Sequence, residues 1–172
     1  MPYSVKDIKE VYPLPVYNYR VEISNGATTE TIAFSNVSGL SLSFETHTYK
    51  ESPDDSNKGD FAGPIVRRMP AQRADVKITL KKGLVRTKSI KALYGWINSV
   101  QVNQVEKKDI TVRLLDEAGA PVVSWKVINA FPTKLDAPAF DATSNDVAIE
   151  SMELTADIVM MEESATAGSG AA

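Results

Sequence analysis

The chain has 172 residues, 43% of them hydrophobic, which suits one domain with a single core. Its 19 basic and 22 acidic residues leave a formal net charge of -3, so no strong overall field draws nucleic acid or an anionic membrane, and any polynucleotide contact would rest on local patches. With no cysteine, disulfides, thiolate metal sites and thiol chemistry are excluded, which fits folding in a reducing cytoplasm.

The opening MPYSVKDIKEVYPLPVYNYR lacks the uninterrupted apolar stretch of a signal peptide, and nowhere do about 18 apolar residues run together as a membrane span requires. No direct membrane anchor is expected, and release from a cell would follow another route, such as lysis. The first strand signal is the alternation of Tyr17, Tyr19, Val21 and Ile23 with Asn18, Arg20, Glu22 and Ser24, which places one set in a core and the other in water. Residues 51–74, ESPDDSNKGDFAGPIVRRMPAQRA, collect prolines, glycines and charges with little periodicity and read as a long loop or extended arm.

A second two-residue period follows at Val76, Ile78 and Leu80 against Lys77, Thr79 and Lys81. In TKSIKALYGWINSV, Ile90, Leu93, Tyr94, Trp96, Ile97 and Val100 form the stripe of an amphipathic helix, with Thr87 as its N-cap. Gly95 costs such a helix roughly 1 kcal/mol against alanine, and Lys88 and Lys91 oppose its dipole, so packing against a sheet must hold it. Residues 109–131 read as a hairpin: Ile110, Val112 and Leu114 alternate, DEAGAP supplies the turn, and VVSWKVINAF is rich in β-branched and aromatic residues. Met152, Leu154, Ala156, Ile158 and Met160 then define one more long strand, and SATAGSGAA reads as a flexible end.

The residues offer little for catalysis. His47, the only histidine, lies between Thr46 and Thr48 and reads as a half-exposed strand residue before it reads as a base or ligand. The run from Asp54 to Asp60 has the wrong glycine spacing and no closing glutamate for a calcium loop. Arg67, Arg68 and Arg73 suit salt bridges to an acidic protein neighbour, and Trp96 and Trp125 sit on apolar phases that core or interface packing accounts for. No phosphate-cradling loop, nucleophile elbow or clustered metal ligands appear, so neither an enzyme nor a cofactor is expected.

The wording of the strands is more specific. FSNVSGLSLSFETHTYKE (34–51), VKITLKKGLV (76–85), LYGWINSV (93–100) and the stretch from Lys107 to Asp157, above all WKVINAFPTKLDAPAFDATSNDVAIES, resemble the tail-tube proteins of contractile phages and, more closely, the inner-tube proteins of phage-tail-like extracellular injection systems. The resemblance runs in order from about Tyr17 to about Asp157. It implies a mainly β tail-tube domain over residues 1–162, followed by a tail at 163–172. That domain would have packed antiparallel sheets, sandwich- or barrel-like, with one flanking helix. It would form a homo-hexameric ring whose lumen is a continuous β-barrel. Such rings would stack into a tube inside a sheath, with baseplate and terminator proteins at its ends and DNA or effector protein as cargo, after assembly in a bacterial cytoplasm.

By the same resemblance, residues 44–74 form an arm reaching the adjacent ring, with Asp54, Asp55, Asp60, Arg67, Arg68 and Arg73 as charge-pair candidates. The lumen-facing candidates are the polar phases Arg20, Glu22 and Ser24, then Ser41, Ser43 and Glu45, and Ser151, Glu153, Thr155 and Asp157. Three alternatives compete: a baseplate or tube-initiator paralogue making a single ring, a monomeric β-sandwich that binds carbohydrate or protein through Trp96, Trp125 or the arm, and a hydrolase built on His47.

Overall fold

The computed structural model describes residues 11–52, 63–85, 93–102 and 104–163. Thr87 to Ala92, Asp54, Asp55 and Asp60, and the tail from Ser164 lie outside the described residues. Alternation becomes strand over most of the lengths where it was read: β1 (Tyr19–Ser24) buries Val21 and Ile23 and turns Glu22 outward, whereas Tyr17, read into the same apolar set, lies in the turn before the strand and is 82% exposed, and β6 (Val76–Gly83) buries Val76, Ile78 and Leu80. β2 (Thr29–Ile32) and β3 (Asn36–Ser38) are short edge strands, and β4 (Phe44–Glu51) pairs with β5 (Ile65–Arg73) in a separate ribbon.

The expected hairpin is β7 (Lys108–Leu115) with β8 (Pro121–Asp136), which runs five residues past the anticipated end at Phe131. Its turn is tied by Asp116, whose carboxylate accepts the Ala118 and Ala120 N–H groups at 2.8 Å. All pairings are antiparallel. The first half of β8 lies between β7 and β10 (Ile158–Glu163) in a sheet of order β2-β1-β7-β8-β10. Its second half pairs with β9 (Ile149–Ala156) in a sheet of order β3-β6-β9-β8. The inner faces of both sheets share one core, from Val21, Ile110, Val112 and Val127 on one side to Ile78, Leu80, Met152 and Leu154 on the other.

The single long C-terminal strand expected from sequence is two strands. Asp157 interrupts it: Met152, Leu154 and Ala156 are buried before the break, Val159 is buried after it, and Met160 is exposed, so the phase shifts by one residue. The cause is the corner in β8. Asn129 there has φ 57°, its N–H donates to Asp109 at 2.9 Å and its side-chain amide to Asp157 at 2.8 Å. The Asp157 N–H in turn donates to the Ile128 carbonyl, and Lys107 lies 3.4 Å from the Asp157 carboxylate. A bulge that hands a strand from one sheet to another must reset its inside-outside phase.

The helix α1 (Gly95–Asn98) is short and packs on β8. Leu93 and Trp96 are buried in the core and Ile97 is half-buried, whereas Tyr94 and Val100, assigned to the apolar stripe from sequence, are exposed. The Trp96 indole donates to the Glu106 carbonyl at 2.9 Å, and the Lys108 ammonium sits 5.0 Å from its ring centre.

Gly39, at φ 87°, ends β3 where the backbone lies against β6, and a methyl group there would meet the Lys77 carbonyl oxygen. Gly39→Ala should therefore destabilise the subunit by about 2 kcal/mol or more in urea titration. Asn129→Ala should cost about 2 kcal/mol, from left-handed strain plus a lost hydrogen bond, and Asn129→Gly about half of that. Equal losses for the two Asn129 variants would show that strain plays no part at the corner.

Candidate assembly surfaces

The first surface is the β4–β5 ribbon. Residues 65–73, read from sequence as loop, form a strand in register with 44–51, with an irregularity between Phe44 and Thr46. Opposed residues share a face, so one face carries His47 with Met69, Tyr49 with Arg67 and Glu51 with Ile65. The other carries Thr46 with Pro70, Thr48 with Arg68 and Lys50 with Val66.

Both ribbon faces are exposed along nearly their whole length, including Tyr49 at 62% and Met69 at 68%. Arg67 pairs with Glu51 at 2.7 Å, and the Arg73 guanidinium lies 5.5 Å from the Phe44 ring centre. The base of the ribbon is pinned by the Ala74 N–H on the Ser43 carbonyl. His47 is an exposed strand residue, and among the described residues no three histidines, aspartates or glutamates gather as a metal site. Nor is any described helix long and apolar enough to cross a membrane.

The lumen candidates divide between two surfaces. Arg20, Glu22 and Ser24 lie on the outer face of the five-stranded sheet, where Arg113 reaches Glu22 at 3.0 Å. Ser151, Glu153 and Thr155 lie on the outer face of the four-stranded sheet, opposite Lys81, Thr79 and Lys77. The core lies between the sheets, so these faces look away from each other. Ser41 and Ser43 are in the link between β3 and β4, Glu45 is at the ribbon's irregularity, and Asp157 is at the corner, so none of these four belongs to a regular polar phase.

Two registers cross all four strands of the second sheet with polar residues only: Ser38, Thr79, Glu153 and Lys134, then Asn36, Lys81, Ser151 and Asp136. Outside those registers the same face carries Phe131 opposite Thr155 and Ile149 opposite Gly83, and the first sheet's outer face carries Met160 and Ile158 beside Lys126 and Ile128. Each sheet also has open edges. In the four-stranded sheet these are the outer sides of β3 and of the second half of β8, to which no described strand pairs.

Sequence reading missed a third feature. Tyr19, Leu40, Leu114 and Trp125 line an apolar groove of about 520 Å³, next to β3 and capped by the exposed Val16 and Tyr17. The Tyr19 hydroxyl donates to the Phe34 carbonyl at 2.6 Å, and desolvation raises its pKa. Its walls come from segments about 100 residues apart, so no local pattern marks it.

The family model of T4-like virus tail tube proteins, gp19, matches residues 15–159. The chain belongs to that tail tube family. Among solved structures, a chain of the PVC sheath-tube complex, from an extracellular contractile injection system in its extended state, is 41% identical with a TM-score of 0.80. That match covers 95% of this chain and 100% of the other. A chain in the anti-feeding prophage tube-terminating cap is 42% identical, with a TM-score of 0.74 and coverage of 89% and 93%. A chain in the PVC sheath/tube terminator is 43% identical, again at 0.74, with coverage of 88% and 97%. No curated protein sequence matches the chain. The tail tube protein of a contractile injection system is thus a structural subunit, and the mainly β, antiparallel fold expected from the resemblance is the one observed.

Because the ribbon's side chains stand clear of the core, Tyr49→Ser combined with Met69→Ser should shift the thermal midpoint of the tube subunit by no more than about 2 °C. Trp96→Ala, by contrast, should cost about 3–5 kcal/mol in the same protein. A large loss from the ribbon pair would mean that the ribbon packs on its own subunit.

Proposed function

We propose that the chain assembles into hexameric rings that stack as the hollow inner tube of a contractile particle. A sheath surrounds this tube, with a baseplate and a terminator at its ends. The observation that carries the reading is the full-length likeness to a chain of a sheath-tube complex. Physical features of the subunit support it. The four-stranded sheet has one face in its own core, an outer face crossed by two all-polar registers, and on each side a strand edge to which no described strand pairs. Head-to-tail pairing of those edges around a closed ring satisfies the ladders at both edges of this sheet.

In that ring the outer face of the four-stranded sheet lines the lumen, with Ser151, Glu153 and Thr155 among its wall residues. Its two all-polar registers suit a water-filled channel. The face bearing Arg20 and Glu22 turns outward, where Met160 and Ile158 supply apolar contact for a surrounding protein. The ribbon reaches the adjacent ring. A two-stranded ribbon exposed on both faces is marginal in water, and a neighbouring subunit supplies its missing cover. Arg68 and Lys50, without ion-pair partners among the described residues, and Asp54, Asp55, Asp60, Arg67 and Arg73 are its charges for that contact. The tube acts by assembly and passive enclosure of DNA or effector protein, with no bond chemistry. It forms in the cytoplasm and leaves within the particle.

Negative-stain microscopy of the protein expressed with its baseplate and sheath should reveal stacked six-fold rings, and monomers throughout would overturn the reading. The absence of native cysteine allows a finer check. In assembled tubes Thr79→Cys and Thr155→Cys should resist a maleimide too bulky to enter the channel. Arg20→Cys in tubes stripped of sheath should react freely. The reverse pattern would place the other sheet at the lumen.

A further inference from the structure

The loop joining β8 to β9, residues 137–148, presents Phe140 at 88% exposure, yet the loop is internally ordered. The Asp141 carboxylate accepts the Thr143 N–H at 2.9 Å and hydroxyl at 2.7 Å, bonds that hold its pKa below the usual carboxylate value. Ser144 and Asp146 close a second small turn, with the Ser144 hydroxyl 2.9 Å from the Asp146 carboxylate. An aromatic ring held out on a pre-formed loop forfeits its transfer free energy unless a partner covers it.

We propose that Phe140 of one subunit seats in the apolar groove between Tyr17 and Trp125 of the next subunit around the ring. This rests on the ring reading above and names the side chain and pocket that join neighbours. Position supports the pairing: the loop leaves the second half of β8, one open edge of the four-stranded sheet, and the groove abuts Asn36 and Val37 of β3, the opposite open edge. Closing the sheet head to tail therefore brings loop and groove to the same seam. Groove and loop belong to opposite sides of one subunit, which is the arrangement a heterologous, ring-closing contact requires.

Two experiments on protein assembled with its own baseplate and sheath test the contact. Oxidation of tubes carrying Phe140→Cys and Tyr17→Cys together should give a covalent ladder from dimer to hexamer, absent from either single variant. Phe140→Ala should remain soluble with an unchanged circular-dichroism spectrum but need about tenfold more protein for half-assembly, and Phe140→Leu should recover much of that. If tubes form, no ladder appears and Phe140→Ala assembles like the parent, the contact is wrong while the ring reading stands. If Tyr17→Cys cross-links only to sheath protein, a different occupant fills the groove and the proposal falls. If the parent protein forms no ring, the ring reading fails and takes the contact with it.

Discussion

One strand serving two sheets is the constraint on which the rest of this structure depends. β8 is 16 residues long, or about 50 Å at ordinary strand rise, more than either sheet needs. It is divided at Asn129, where a left-handed residue is held by Asp109 on one side and Asp157 on the other. Those carboxylates fix where the strand stops pairing with β7 and β10 and begins pairing with β9. Because the turn occurs inside a strand, the two sheets fold over a common core, and their polar faces point in opposite directions. The second half of β8 is also left with one side unpaired. The open seam of the four-stranded sheet is therefore a consequence of the same corner that makes the core.

Much of this was legible in the sequence where a strand has one dry and one wet face. Val21 and Ile23, Ile78 and Leu80, and Met152 and Leu154 alternate with polar residues and are buried as that pattern demands. The resemblance in wording carried the family, which composition alone did not. What failed had physical reasons. β5 was read as loop because both its faces are exposed, and a strand with no dry side has no period to detect. The break at Asp157 was invisible because apolar residues continue at Ile158 and Met160 in the old phase, while burial passes to Val159. Within the helical stripe, Tyr94 and Val100 match the period but are exposed, because a period marks a candidate face without showing which of its members meet the sheet.

The lumen set shows a different limit. Period two correctly separates polar from apolar residues along β1 and β9, but it carries no information on which of two sheets faces a channel. Arg20 and Ser151 thus entered one set although the core lies between their strands. Only the sheet order shows that Ser38, Thr79, Glu153 and Lys134 align as one polar register across four strands. The apolar groove lay further still from local pattern, since it joins the start of β1 to the link after β3 and to Trp125 of β8.

Exposed apolar side chains on an acidic subunit create a tension that the proposed assembly resolves. Phe44, Tyr49 and Met69 on the ribbon, Phe140 on its loop and Met160 on β10 are exposed on three separate elements. In the proposed tube, however, a subunit has several distinct neighbours: two in its ring, others in the rings above and below, and a protein outside. Each contact alone is small and must offset the freedom lost on association, which favours growth where several can form together. A baseplate that presents a finished ring supplies that condition, because an arriving subunit then meets stacking contacts at once and gains lateral ones as the layer fills. In the proposed ring, open edges with a fixed head-to-tail sense have a further effect, since a rotation that closes ends lateral growth and leaves stacking as the direction of extension.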